Sequence, residues 1–169
     1  MEPEFETVEK EIGHVLEIEE RIPMWKMPST MGRDLKELSG HLENQGVEPA
    51  GAPYSRYLGV DWKTELAKPK LMMFLEVFSK KWHMMIGIPT GREVAGEGSM
   101  QSSYLPKGKY LRTVHLGPYH KLGATYEKTG NWAQENGIEL ADTSIESYLN
   151  DPANTAKADL ETEILIPIR

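Results

Sequence analysis

The chain has 169 residues, 39% of them hydrophobic and 27% charged, with a formal net charge of −7 and no cysteine. This balance argues against disorder, a disulfide framework and thiolate chemistry, and the acidic surface with scattered Lys and Arg argues against direct contact with nucleic acid. The acidic start Met1-Glu2-Pro3-Glu4 is no signal peptide, and the apolar run Leu71–Leu75 is far below the roughly 20 residues of a membrane span, so a cytoplasmic protein without a membrane partner is expected.

In chain order, Phe5 to Ile12 and Val15 to Ile18 read as strands. Met31, Leu35, Leu38 and Leu42 then recur at helical spacing, with Ser29 or Thr30 as N-cap and Gly46 just beyond the end. Tyr54 to Leu58 is a strand. Beyond it Leu71, Phe74, Leu75, Phe78 and Trp82 keep helical spacing after Pro69, which predicts a helix; a hairpin from Leu71 to Pro89 with Ser79-Lys80-Lys81 at its tip is the alternative. Ile86 to Pro89 is a closing strand. After the turn-like stretch Gly91 to Gly98 come strands at Met100 to Leu105 and Tyr110 to Leu116. Gly117-Pro118 opens a second helix with the stripe Leu122, Tyr126, Thr129 and Ala133, ended by Gly137. Ile145 to Leu149 and Ile164 to Pro167 complete the strands.

The second half echoes the first. A shift of 91 residues lays 21–58 over 112–149 without a gap and aligns Arg21/Arg112, Gly32/Gly123, Gly46/Gly137, Glu48/Glu139, Ala50/Ala141, Tyr57/Tyr148 and Leu58/Leu149. The closing strands match at an offset of 78, so the first copy holds 13 extra residues between Leu58 and Ile86. The expected fold is therefore α+β: duplicated βαββ-type units about a pseudo-two-fold axis, helices on one side and a ligand cleft between the repeats. One domain over 1–169 is expected, with repeats at about 1–90 and 97–169.

Strand alternation nominates the site. In Ile145-Glu146-Ser147-Tyr148-Leu149, Ile145 and Leu149 are the natural residues to lie beneath a helix, which puts Glu146 and Tyr148 on the opposite face. Two such sheets facing one another would line a cleft with Tyr57 and Tyr148, and the mate of Glu146 would be only Ser55. One carboxylate among aromatic walls suits a flat apolar ligand with a positive or polar group. Partly desolvated, it could also serve as a general base. The bland alternative is a solvent-facing glutamate beside a packing tyrosine. Tyr119 stands at the helix entrance, at a cleft mouth or in packing. Trp82, with Met84 or Met85, forms either an apolar pocket floor or part of a core stripe; Met85 is taken with the pocket. Trp132 and Tyr126 read as core, and Glu17, Glu19 and Glu20 as a solvated strand face.

The ordered segments Leu105-Pro106-Lys107-Gly108-Lys109-Tyr110, His115-Leu116-Gly117-Pro118-Tyr119, Glu146-Ser147-Tyr148-Leu149-Asn150-Asp151-Pro152 and Thr162-Glu163-Ile164-Leu165-Ile166-Pro167-Ile168 resemble the GyrI-like small-molecule-binding family. This is the effector-binding domain of multidrug-responsive and AraC-type regulators. The resemblance implies that Glu146 is the acidic ligand-binding residue; strand parity and position, not the resemblance, add Tyr148, Tyr57, Tyr119, Trp82 and Met85 as the ligand's surroundings. It also implies that some stand-alone members are hydrolases opening cyclopropane-type natural products, with the same glutamate as base. The repeat begins within about the first 20 residues, leaving no room for a preceding DNA-binding segment, so a stand-alone member is expected. The expected function is capture or sensing of a hydrophobic, cationic or polar aromatic compound; hydrolysis of a strained electrophile is the alternative, and a protein partner is left open. The five histidines lack metal-ligand spacing and there is no phosphate loop or nucleophile elbow, so neither metal nor cofactor is expected.

Overall fold

The computed structural model describes residues 3–169. Strands β1 (Glu6–Lys10), β2 (Gly13–Pro23), β3 (Tyr54–Leu58), β4 (Lys81–Pro89), β5 (Met100–Leu105), β6 (Gly108–Leu116), β7 (Thr143–Tyr148) and β8 (Glu161–Pro167) form one antiparallel sheet. Its order is β1-β6-β8-β7-β3-β4-β2-β5. Read outward from the central β3–β7 pair, the two halves have the same order, and each outermost strand belongs by sequence to the opposite half.

This exchange dictates the shape. The link from Lys10 to Gly13 can span about 11 Å, whereas β1 and β2 would lie about 29 Å apart across a flat sheet. The sheet therefore curls into a half-barrel, and the short link from Leu105 to Gly108 imposes the same curl on β5 and β6. The inner face packs Val15, Tyr54, Tyr110, Ile145 and Leu165 with Val8, Ile12 and Leu105. Glu17, fully buried there, accepts hydrogen bonds from Tyr54 (2.6 Å) and from the Arg56 guanidinium at 2.9 and 3.0 Å. The glutamate read as part of a solvated face is thus a buried ion-pair partner, because the curl encloses the strand face that a flat sheet would leave wet. Gly87 permits this approach: a Cβ there would meet the Tyr54 ring and Glu17 Cγ within 2.9 Å.

The helices lie on the outer face. Helix α1 (Met27–Asn44) buries Met27, Thr30, Asp34, Leu38, His41 and Leu42 along one stripe. Leu38 and Leu42 pack on Leu16, Ile18, Ile86 and Ile88; full burial of such a side chain is worth about 2 kcal/mol. Helix α4 (Leu122–Glu135) covers Ile164 and Ile166 through Tyr126. Both helices end before a glycine in the left-handed region, Gly46 (φ 64°) and Gly137 (φ 65°). Two short helices, α2 (Trp62–Ala67) and α3 (Lys70–Ser79), fill the insertion between β3 and β4.

Several expectations are corrected. Helix α1 starts at Met27, with Pro28 in its first turn, not behind Ser29 or Thr30. It has 18 residues to the 14 of α4, one turn more. The 91-residue register holds from the helix C-termini to β3 and β7 but breaks upstream, so Arg21 and Arg112 are not equivalents: Arg112 faces Leu165 on β8, and the corresponding place on β2, opposite Gly87, is held by Glu17. The insertion is helical, as its spacing predicts, and not the alternative hairpin, but it holds two helices, and Trp82 leaves the second and sits on β4. No described helix is long and apolar enough to cross a membrane.

Candidate functional site

The repeats meet at the β3–β7 ladder, where Ser55 faces Glu146 and Tyr57 faces Ser144. The expected parity is inverted. Ile145 faces the inner core with Leu165 and Tyr54, while Glu146 points to the outer face, under α4, and Leu149 is 43% exposed beyond the strand end. The reason is that both sheet faces are buried here, so the more apolar residue of an alternating pair no longer marks the helix side. The site lies between the repeats, but on one continuous sheet and beneath helices rather than between two facing sheets.

Glu146 is 5% exposed. Its Oε1 accepts a hydrogen bond from Tyr126 at 2.8 Å and its Oε2 one from Tyr148 at 3.2 Å. Tyr148 Oη is also 2.7 Å from Ser55 Oγ, and Tyr126 Oη 3.1 Å from Ser144 Oγ, so the polar row continues across the repeat boundary. Burial pushes the Glu146 carboxyl up to about 7, against the two phenolic donors that favour its charged form. The same burial, together with the carboxylate, raises Tyr57, Tyr126 and Tyr148 above the usual phenol range, so all three stay protonated.

Three other carboxylates are buried among the described residues, and each has a cation: Glu17 has Arg56, Asp34 has Arg33, and Glu163 has Lys10 and Arg112. Among the described residues Glu146 has none, and its hydrogen bonds come from Tyr126 and Tyr148. An isolated carboxylate in such a place is costly, and this one is held where a cation would offset that cost.

Aromatic rings close over it. Trp62 from α2 stacks on Tyr126 with centroids 4.8 Å apart and planes at 10°. Tyr119 meets Tyr148 edge-on at 5.6 Å, and Trp82 meets Tyr57 edge-on at 5.9 Å. Tyr57 and Trp82 share their cluster with Met84, Met27 and Val60. The structure thus brings together Glu146, Tyr148, Tyr57, Tyr119 and Trp82. Met85 is elsewhere: its ladder partners are Glu19 and Arg56, on the opposite face, and Met84 takes its place beside Tyr57 because one step along a strand reverses the face. Two residues escaped the sequence reading. Tyr126 occupies a helix position that looks like core and differs from core only by its hydroxyl. Trp62 lies in the insertion, where the duplicated half offers no counterpart; its signal was Asp61-Trp62-Lys63-Thr64, an N-cap whose Asp61 accepts a hydrogen bond from the Thr64 amide at 3.2 Å.

Among the described residues no three potential metal ligands cluster. The fold and its enclosed junction define the class: a duplicated α+β half-barrel with helices on its outer face. Residues 74–169 match the GyrI-like small molecule binding domain, and the chain belongs to this family. Solved structures carry the likeness over the whole chain. The EcmrR C-terminal domain is similar with a TM-score of 0.65 at 20% identity, covering 98% of both chains. EcmrR in its complex with DNA gives a TM-score of 0.72 at 20% identity, covering 98% of this chain and 57% of that one, so the chain spans little more than half of that protein. SAV2435 bound to tetraphenylphosphonium gives a TM-score of 0.62 at 14% identity, covering 100% and 94%. A hydrolase encoded by lin2189 from Listeria innocua gives 0.61 at 11%, covering 99% and 91%. No curated protein is significantly similar in sequence.

Proposed function

We propose that the domain captures a hydrophobic cation, or a polar aromatic compound with a positive group, in the junction between its repeats, with Glu146 as the charge partner and Tyr57, Tyr126, Tyr148, Tyr119, Trp62 and Trp82 as the apolar enclosure. The observation that carries this reading is the buried carboxylate without a cation, set among aromatic rings that attract positive charge through their faces. SAV2435, similar in fold, is bound to such a cation. Residues 1–169 act as one unit here, since Tyr57 and Trp62 come from the first half and Glu146 and Tyr148 from the second. Capture serves sequestration or sensing, and a cytoplasmic setting fits both. The aromatic side chains now pack on one another over the carboxylate, so a ligand enters when α2 swings away and Trp62 leaves Tyr126.

Isothermal titration with tetraphenylphosphonium tests the reading, with tetraphenylborate as the anion of like shape. The cation binds and the anion does not, and Glu146→Gln weakens the cation by at least about tenfold, the equivalent of about 1.4 kcal/mol. Equal affinity of both proteins for the cation, or a preference for the borate, overturns it.

One feature favours a second reading. A carboxylate held near neutrality beside phenolic protons is suited to general acid–base work. In that case Glu146 takes a proton from water, the hydroxide attacks a carbon of a cyclopropane-type ring, the strained C–C bond breaks, Tyr148 protonates the released carbon, and the proton on Glu146 returns to the Tyr148 phenolate across their 3.2 Å hydrogen bond. A product heavier by one water, formed by the wild type and not by Glu146→Gln, would establish it. Conversion at the same rate by both proteins removes Glu146 from that role.

A further inference from the structure

Helix α3 has the composition of a core helix but not its place. It packs against β2 and the short turn Met24–Lys26, and only Glu76 and Val77 are drawn partly inward. Leu71, Phe74, Leu75 and Phe78, at positions i, i+3, i+4 and i+7, are 59–72% exposed and form one outward face. Phe74 and Phe78 touch edge-on at 5.9 Å. Met72 and Met73, 49% and 44% exposed, widen the face, and Trp25, 54% exposed, projects from the neighbouring turn.

The charge around this face runs against the rest of the molecule. From Trp62 to Lys81 there are five lysines and two glutamates, a net +3 within a chain of −7. Lys68 and Lys80 are held by Glu65 and Glu76, whereas Lys63, Lys70 and Lys81 are exposed, the last two at either end of the apolar face. A second copy of the chain is a poor occupant, because a two-fold contact would set these lysines against themselves. An apolar face bracketed by lysines, with a tryptophan at its margin, matches an anionic lipid surface.

We propose that α3 docks the protein on anionic membranes, lying in the headgroup region with Leu71, Phe74, Leu75 and Phe78 facing the acyl chains. No membrane partner was expected from the lack of a spanning segment, but a helix that lies upon the bilayer needs no such segment. The inference stands apart from ligand capture and uses none of the residues around Glu146.

Co-sedimentation of the full chain with phosphatidylcholine vesicles, with and without phosphatidylglycerol, tests it. The wild type pellets with the phosphatidylglycerol vesicles, less so at high salt, and stays in solution with phosphatidylcholine alone. Phe74→Ser/Phe78→Ser, at exposed positions where the fold has nothing to lose, lowers partitioning by about tenfold or more. Lys70→Glu/Lys81→Glu removes the preference for the anionic lipid. The proposal fails if the wild type ignores both vesicle types or if the phenylalanine variant pellets as well as wild type. It also fails if ultracentrifugation shows a dimer that the phenylalanine substitutions dissolve while vesicles are not bound, which would assign the face to a second copy.

Discussion

Ser55 and Glu146 face one another across the β3–β7 ladder, and they also occupy the same position of the two halves, 91 residues apart. The pseudo-two-fold axis therefore passes between a hydroxyl and a carboxylate. Duplication alone would place like beside like at this point, and two carboxylates there would repel in a buried setting. Ser55 on one side leaves one charge at the axis, bridged to its mate through Tyr148 Oη, 2.7 Å from Ser55 Oγ.

Stability should depend on this charge. An unfolded glutamate titrates near 4.3, and the folded Glu146 near 7. Between these values the folded state holds a proton that the unfolded state has lost, so the contribution is complete below about pH 4 and disappears as pH rises through about 7. Glu146→Gln, neutral throughout, should match wild type in acid and exceed it by up to about 4 kcal/mol at about pH 8. Urea denaturation of both proteins across that range measures the widening gap.

Cation capture has the opposite pH dependence, because only the carboxylate form pairs with the ligand. Affinity for tetraphenylphosphonium should fall about tenfold per pH unit below about pH 7 and level off above it. Tyr126→Phe removes the 2.8 Å donor to Oε1, so the midpoint should move upward. Tyr57→Phe removes no bond to the carboxylate and should leave it in place. Titration calorimetry at several pH values gives both midpoints.

Gly130 on α4 lets Leu66 of α2 approach, since a Cβ there would overlap Leu66 Cδ1. Gly130→Ala should push the Leu66 side chain aside and loosen the seat of α2, while the helix itself gains up to about 1 kcal/mol in propensity. Association of a fluorescent hydrophobic cation in stopped flow should accelerate, with little change in melting temperature. Unchanged association, with Leu66→Ala likewise without effect, would mean that α2 does not gate the site.

On the inner face the compensated carboxylate supplies the contrast. Arg56→Met strands Glu17, which is fully buried, and should cost about 3 kcal/mol or more in urea denaturation. Glu17→Gln/Arg56→Met should recover much of that loss. No such penalty accompanies removal of the Glu146 charge, which has no cation to abandon.

The repeat, the strand segments, the helix stripes and the Glu146–Tyr148 pair were all legible in the sequence, because periodicity and glycine punctuation are local and a duplication leaves two copies to compare. Tertiary structure decided the rest. Strand alternation separates residues into two faces but cannot say which face meets the helices once a curled sheet buries both; hence Glu146 and Tyr148 lie beneath α4, Met84 replaces Met85, and Glu17 is enclosed. The curl itself follows from exchange of the outer strands between halves, a long-range pairing that no local pattern encodes. Helical spacing in α3 was visible, but whether an apolar stripe faces core or solvent depends on what stands opposite, and the chain puts nothing over Phe74 and Phe78 among the described residues. Trp62 reaches the site from an insertion with no counterpart in the other half, so only the folded chain brings it over Tyr126.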